Sequence, residues 1–222
     1  MKRPKHFLII LLFLSFLQGF TQSVEYPFAN EIHAFKTSDS INPPPQNAIL
    51  FVGSSSFTKW TDVQNYFPKY TILNRGFGGS CLTDLIRYAD DVIIPYHPKQ
   101  VVIYCGENDF AYSDTITSEI VNQRFVQLFK LIRNKMPGVK ITYISIKPSP
   151  SRWHLKDKFI ASNTYIRNYL KKQTNTSYVD VWNKMLDKKG QPLPDIYFDD
   201  QLHMKPAGYS IWQKAIKSHL MN

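Results

Sequence analysis

Apolar residues along this chain follow two alternating periods. Short, nearly continuous runs occupy residues 48–52 (AILFV), 70–74 (YTILN), 100–105 (QVVIYC), 140–146 (KITYISI) and 177–182 (SYVDVW). Runs of this length with little polar alternation predict strands covered on both faces. Between them the spacing changes to three and four. Over residues 117–135, Ile120, Val121, Phe125, Leu128, Leu131 and Ile132 mark one face of a helix. Residues 156–172 repeat the pattern with Phe159, Ile160, Tyr165, Ile166 and Leu170. A last helix opens at Pro206, a favoured first helical position, and carries Tyr209, Trp212, Ala215, Ile216 and Leu220 on one side. Strands alternating with helices predict one parallel, doubly wound α/β sheet.

The ends of the chain bound this domain. The basic stretch MKRPKH leads into a 14-residue apolar run, residues 7–20, followed by Thr21, Gln22 and Ser23. That layout predicts a signal peptide over residues 1–23, because the run falls short of the roughly 20 residues of a spanning helix. An uncleaved anchor is the alternative. Residues 24–47 form a polar lead-in whose NPPPQN run suits neither helix nor interior strand, and residues 48–222 form one domain. The expectation is export to a periplasmic or extracellular location, with no stable membrane insertion after cleavage.

With 222 residues and 43% hydrophobic side chains there is material for one sizeable core. The formal charge of +10 would suit an anionic partner. No Arg/Lys cluster or interleaved aromatic pattern accompanies it, so no nucleic-acid partner is predicted.

In a doubly wound sheet, functional groups sit beyond the carboxyl ends of the strands. The first strand runs into Gly53-Ser54-Ser55-Ser56, the second into NRGFGGSC (74–81) and the third into GENDFAY (106–112), and FDDQLHMKPAGY (198–209) precedes the last helix. Together these segments offer a hydroxyl, close-approaching backbone N–H groups, an amide and a histidine with a carboxylate, the groups that acyl transfer needs. Asp200 lies three residues before His203 and can orient its ring, with Asp199 a rival partner. Gly76, Gly78 and Gly79 make either a tight turn or an approach for a backbone donor; the segment lacks the lysine and hydroxyl of a phosphate loop. Asn108 is either a turn residue or an amide donor.

In that order, GSSS, NRGFGGS, GEND and DQLH resemble the four sequence blocks of the SGNH hydrolases, the GDSL-like esterases and lipases, over residues 48–220. The stretch AFKTSDSINPPPQNAILFVGSSS (34–56) is also similar to bacterial acylhydrolases resembling platelet-activating-factor acetylhydrolase. The resemblance implies a three-layer α/β/α sandwich with a five-stranded parallel sheet in the flavodoxin-like order 2-1-3-4-5. It also implies the nucleophile at Ser55, the acid and base at Asp200 and His203, and an oxyanion hole from Ser55, Gly79 and Asn108. This chain departs from the family signature in having Ser54 where Asp is usual and Ser56 where Leu or Ile is usual.

Two other hydrolase designs fit less well. A nucleophile elbow needs glycine two residues after the serine, where Phe57 stands. His33, His97, His154, His203 and His219 have no ligand spacing, so neither metal nor cofactor is predicted. Cys81 follows the second strand and Cys105 ends the third, strands two spacings or roughly 9.6 Å apart, whereas a bridge needs Cα atoms within about 7 Å; free, buried thiols are expected. The function expected is a secreted serine esterase acting on short acyl, chiefly acetyl, esters of small molecules or glycans. A lysophospholipase-type acylhydrolase and a catalytically silent glycan-binding module are the alternatives. Trp60, Trp153, Tyr112 and Arg152 are candidates for an acceptor site, with core packing the competing assignment for Trp60. The oligomeric state is not legible.

Overall fold

The computed structural model describes residues 26–222; the signal peptide read at residues 1–23 lies outside the described residues. In chain order the elements are Ala29–Ile41 (α1), Ile49–Gly53 (β1), Ser55–Thr58 (α2), Val63–Tyr66 (α3), Ile72–Gly76 (β2), Leu82–Arg87 (α4), Ala89–Val92 (α5), Gln100–Tyr104 (β3), Glu107–Ala111 (α6), Ser118–Lys135 (α7), Lys140–Ile144 (β4), Lys156–Leu170 (α8), Thr176–Val179 (β5) and Pro206–Ile216 (α9), with short 3-10 turns between some of them. The five strands are parallel in the order β2-β1-β3-β4-β5, as expected.

The apolar runs behave as strands buried on both faces because successive side chains point to opposite sides. Leu50 and Val52 of β1, with Val101 and Ile103 of β3, join Leu85, Val121, Phe125 and Ile166 in one core. Ile49 and Phe51, with Val102 and Tyr104, join Phe57, Trp60 and Trp212 in the other. Helices α1, α4, α5, α7 and α8 thus cover one face and α2, α3 and α9 the second, giving the three-layer sandwich. Each fully buried aromatic or aliphatic side chain contributes about 1.5–3 kcal/mol. Ile160 and Tyr165, read as part of the apolar face of α8, are instead exposed.

Two predicted boundaries shift for a visible reason. The fourth apolar run reaches residue 146, but β4 ends at Ile144. Beyond it, the Asn163 side chain donates to Ile146 O at 2.9 Å and accepts its N–H at 2.8 Å, replacing ladder partners. The larger difference is α1, within what reads as a polar lead-in. Its sequence, ANEIHAFKTSDSI, buries only Ile32 fully. Polar contacts to distant residues hold it instead: Lys36 pairs with Asp91, and Asp39 takes hydrogen bonds from Arg75 and Tyr96.

The register fixes where the site lies. Gly53 at the end of β1 is level with Gly76 of β2 and Tyr104 of β3. The segments carrying the three serines, Gly79 and Asn108 therefore leave the same edge of three adjacent strands. Cys81 and Cys105 are both buried and free.

Candidate active site

The chain leaves β1 through Gly53, whose φ of +152° is one that other residues rarely adopt. A Cβ there would stand 1.9 Å from Tyr104 O, so only glycine fits the turn. Its three serines then diverge. Ser54 holds the turn by its backbone: its N–H donates to Tyr104 O at 3.1 Å, and its carbonyl accepts from Phe57 and Thr58 at 2.9 and 3.2 Å. The unusual residue at this position therefore leaves the turn braced by main-chain bonds. Ser56 is buried, and its carbonyl accepts from the Tyr209 hydroxyl at 2.9 Å. Ser55, at the first turn of α2, is the half-exposed one.

Ser55 Oγ lies 3.1 Å from His203 Nε2, and His203 Nδ1 lies 2.6 Å from Asp200 Oδ2. A carboxylate only accepts, so the proton sits on Nδ1 and Nε2 is free to accept from the serine. The other oxygen, Asp200 Oδ1, takes the backbone N–H groups of Leu202 and His203, both at 2.9 Å. Burial alone would raise the Asp200 pKa, but the hydrogen bonds from His203 and Leu202 outweigh it and hold the carboxyl down at about 2. Asp199, the rival partner, is exposed and makes no hydrogen bond among the described residues.

Gly79 and Asn108 meet beside this series. A Cβ at Gly79 would stand 3.6 Å from Asn108 Nδ2. Asn108 Nδ2 donates to Ser80 O at 3.1 Å, which leaves its second N–H uncommitted. The backbone N–H groups of Ser55 and Gly79 likewise have no acceptor among the described residues. The glycine loop is held from outside by α1: Gly78, at a φ of +35°, donates its N–H to Glu31 Oε2 at 2.7 Å.

Beneath the asparagine is a charge network that pattern and spacing do not reveal. Glu107 and Lys147 are both buried and pair at 2.7 Å, and Glu107 also accepts from Tyr104 at 2.6 Å and Ser149 at 3.0 Å. Burial works against the Glu107 carboxylate, but the Lys147 and Arg152 charges prevail and its pKa is lowered. Arg152 lies 3.6 Å from Glu107 and donates from Nη1 to Asn108 Oδ1 at 2.8 Å. The only sequence signals were a glutamate beside Asn108 and a lysine and arginine within SIKPSPSRW (145–153), a segment that also reads as a plain loop.

The other acceptor-site candidates divide. Trp60 is fully buried and stacked on Tyr209 at 4.7 Å, a core residue. Trp153 stacks on Trp182 at 5.9 Å. Tyr112 is 69% exposed, with its hydroxyl 3.4 Å from Gly79 O, and so stands at the rim. Burial, reinforced by Asp109, pushes the Cys81 and Cys105 thiols up, which makes them poor nucleophiles. Among the described residues, no three His, Cys, Asp or Glu side chains are grouped to hold a metal ion.

The profile of the GDSL-like Lipase/Acylhydrolase family matches residues 49–211. Several solved structures share the fold. A GDSL-like lipase from Bacteroides thetaiotaomicron is 21% identical, with a TM-score of 0.72, over 85% of this chain and 96% of its own. A Streptococcus pneumonia protein named for platelet activating factor is 21% identical, with a TM-score of 0.74, over 86% and 92%. A point variant of an acetyl-xylooligosaccharide esterase from Geobacillus Stearmophilus is 16% identical, with a TM-score of 0.62, over 80% and 96%. Among curated proteins, none matches this chain.

Proposed function

Because this chain belongs to the GDSL-like lipase/acylhydrolase family and is an ester-bond hydrolase, we propose that it works as a secreted serine esterase on short acyl, chiefly acetyl, esters, including those of carbohydrates. The observation that carries this reading is the unbroken series from Asp200 through His203 to Ser55, with contacts of 2.6 and 3.1 Å. His203 takes the Ser55 proton as Oγ attacks the ester carbonyl, and Asp200 holds the ring in the tautomer that can do so. Negative charge developing on the carbonyl oxygen is met by the backbone N–H groups of Ser55 and Gly79 and the free N–H of Asn108. His203 then returns the proton to the leaving alcohol, and water, activated by the same imidazole, releases the acyl group.

Ser55 and His203 are partly exposed and the Asp200 side chain is 49% exposed, an open arrangement suited to small acyl groups better than to long chains that need an apolar cover. The Geobacillus esterase illustrates acetyl-ester chemistry on the same fold. Export rests on the leader at residues 1–23. Hydrolysis of p-nitrophenyl acetate, butyrate and octanoate by the chain lacking that leader, beside Ser55→Ala, tests the whole reading. Rates should fall with acyl length and vanish in the variant. Equal rates in the two proteins would remove Ser55 from the chemistry, and a preference for octanoate would favour a lysophospholipase-type substrate. A folded but inactive wild type that binds glycans would favour the binding module.

A further inference from the structure

Asn108 can help an oxyanion only if its amide, and not its carbonyl, faces the reacting oxygen. Its two fixed contacts decide which. Nδ2 gives one proton to Ser80 O at 3.1 Å, and Oδ1 accepts from Arg152 Nη1 at 2.8 Å. Turning the amide over would set Oδ1 against the Ser80 carbonyl and Nδ2 against a guanidinium, which has donors only. Both contacts would become repulsive.

Arg152 is itself held in place. Its ion-pair partner Glu107 is fixed by Lys147, Tyr104 and Ser149, all within hydrogen-bond distance. One carboxylate between two cations leaves a net positive charge at the Oδ1 end of the Asn108 amide, opposite the Nδ2 donors, in a setting that screens it poorly. The same turn reaches the histidine side as well: Ser151 donates to Gln201 O from its backbone N–H at 3.2 Å and from its hydroxyl at 3.0 Å, between Asp200 and His203.

We infer that Arg152 is a positioning residue for this esterase, fixing the orientation of the Asn108 amide and polarising it toward the oxyanion. The inference rests on the reading of Asn108 given under Proposed function. It assigns Arg152 to the transition state through another side chain, in place of an acceptor-site contact.

A double-mutant cycle on p-nitrophenyl acetate tests it, using Arg152→Met, Asn108→Ala and the pair, with Ser55→Ala as control. Loss of Asn108 should lower kcat on the order of 10²- to 10³-fold. Arg152→Met should lower kcat roughly 10- to 100-fold with KM little changed, because the misplaced amide matters only once charge develops. In the Asn108→Ala background the same change should cost less than about twofold, since nothing remains to be positioned. Arg152→Lys, which keeps the charge and a donor, should recover part of the loss. Unchanged kcat in Arg152→Met, equal losses in both backgrounds, or a change confined to KM would each overturn the inference. If the methionine variant does not fold, Arg152→Lys and Arg152→Gln take its place in the same cycle, each expected below wild type with Asn108 present and level with Asn108→Ala without it. Retained turnover in Ser55→Ala would instead mark failure of the serine-esterase reading itself.

Discussion

The Asp200–His203 turn and the Gly79–Asn108 corner flank the same serine, yet different physics holds each. The turn is local: Asp200 binds groups two and three residues ahead of it, and its side chain is 49% exposed. The corner depends on contacts between residues 28 to 47 apart: Asn108 with Ser80, Lys147 with Glu107, Arg152 with Asn108, and Gly78 with Glu31. Its central ion pair, Glu107 with Lys147, is only 4% and 1% exposed. A local, exposed device can be altered without disturbing the core. A buried, long-range device ties activity to stability.

Asp200→Asn gives the sharpest break. Asparagine can still accept the two backbone bonds, but it favours the wrong imidazole tautomer, so kcat should fall by about 10⁴-fold. Folding should change little, with Tm moving by no more than about 4 °C. The same residue carries a pH signature. Its folded pKa, about 2, lies below the usual value of about 3.9. Stability from this carboxylate is therefore complete above about pH 4 and is lost as pH falls through about 2. The stability gap between wild type and Asp200→Asn should narrow over that acid window, as followed by denaturant titration at several pH values. A variant that unfolds at neutral pH would show that the turn is not a local device.

Glu107→Gln should reverse the pattern. It leaves Lys147 buried without its counter-charge, which costs about 3–5 kcal/mol. The variant should unfold at markedly lower denaturant while keeping a larger share of its kcat than Asp200→Asn. An unchanged unfolding midpoint would mean that Lys147 sheds its proton or finds water, and the contrast between the two halves would collapse.

The same division explains what the sequence reveals. The strands are legible because their apolar runs are continuous, and their ends point to the segments holding the three serines, the glycines and Asn108; only the resemblance singles out Ser55 and Gly79 within them. Asp200 and His203 are legible because a pair three residues apart can meet on a single turn. Glu107, Lys147 and their link to Arg152 are not, since a lysine in SIKPSPSRW and a glutamate in GEND become partners only when β3 and β4 align. Helix α1 is hidden for a related reason. Without a continuous apolar stripe, it is held by Asp39, Lys36 and Glu31 reaching residues far along the chain.

That helix supplies the smallest test of the comparison. Glu31 Oε2 accepts the Gly78 N–H at 2.7 Å, one residue before Gly79, and is the hydrogen-bonded tie from the start of α1 to the glycine loop, beside the packing of Phe28 on Phe77 at 5.5 Å. In Glu31→Ala, the Gly78 N–H turns to water and a charge-assisted bond worth about 1.5–3 kcal/mol is lost. Because the contact is only partly buried, the stability loss should fall at the lower end of that range. The loop keeps its link from Ser80 N–H to Phe77 O at 3.4 Å and the Asn108 bond to Ser80 O, so Gly79 should loosen rather than leave. The expected fall in kcat is about threefold to tenfold, equivalent to roughly 1 kcal/mol in the barrier. Full kcat with lowered stability would show that α1 braces the fold but not the Gly79–Asn108 corner. A loss as large as that of Asn108→Ala would make Glu31 as important to the corner as the asparagine, and the long-range half of the site would then begin at the first described helix.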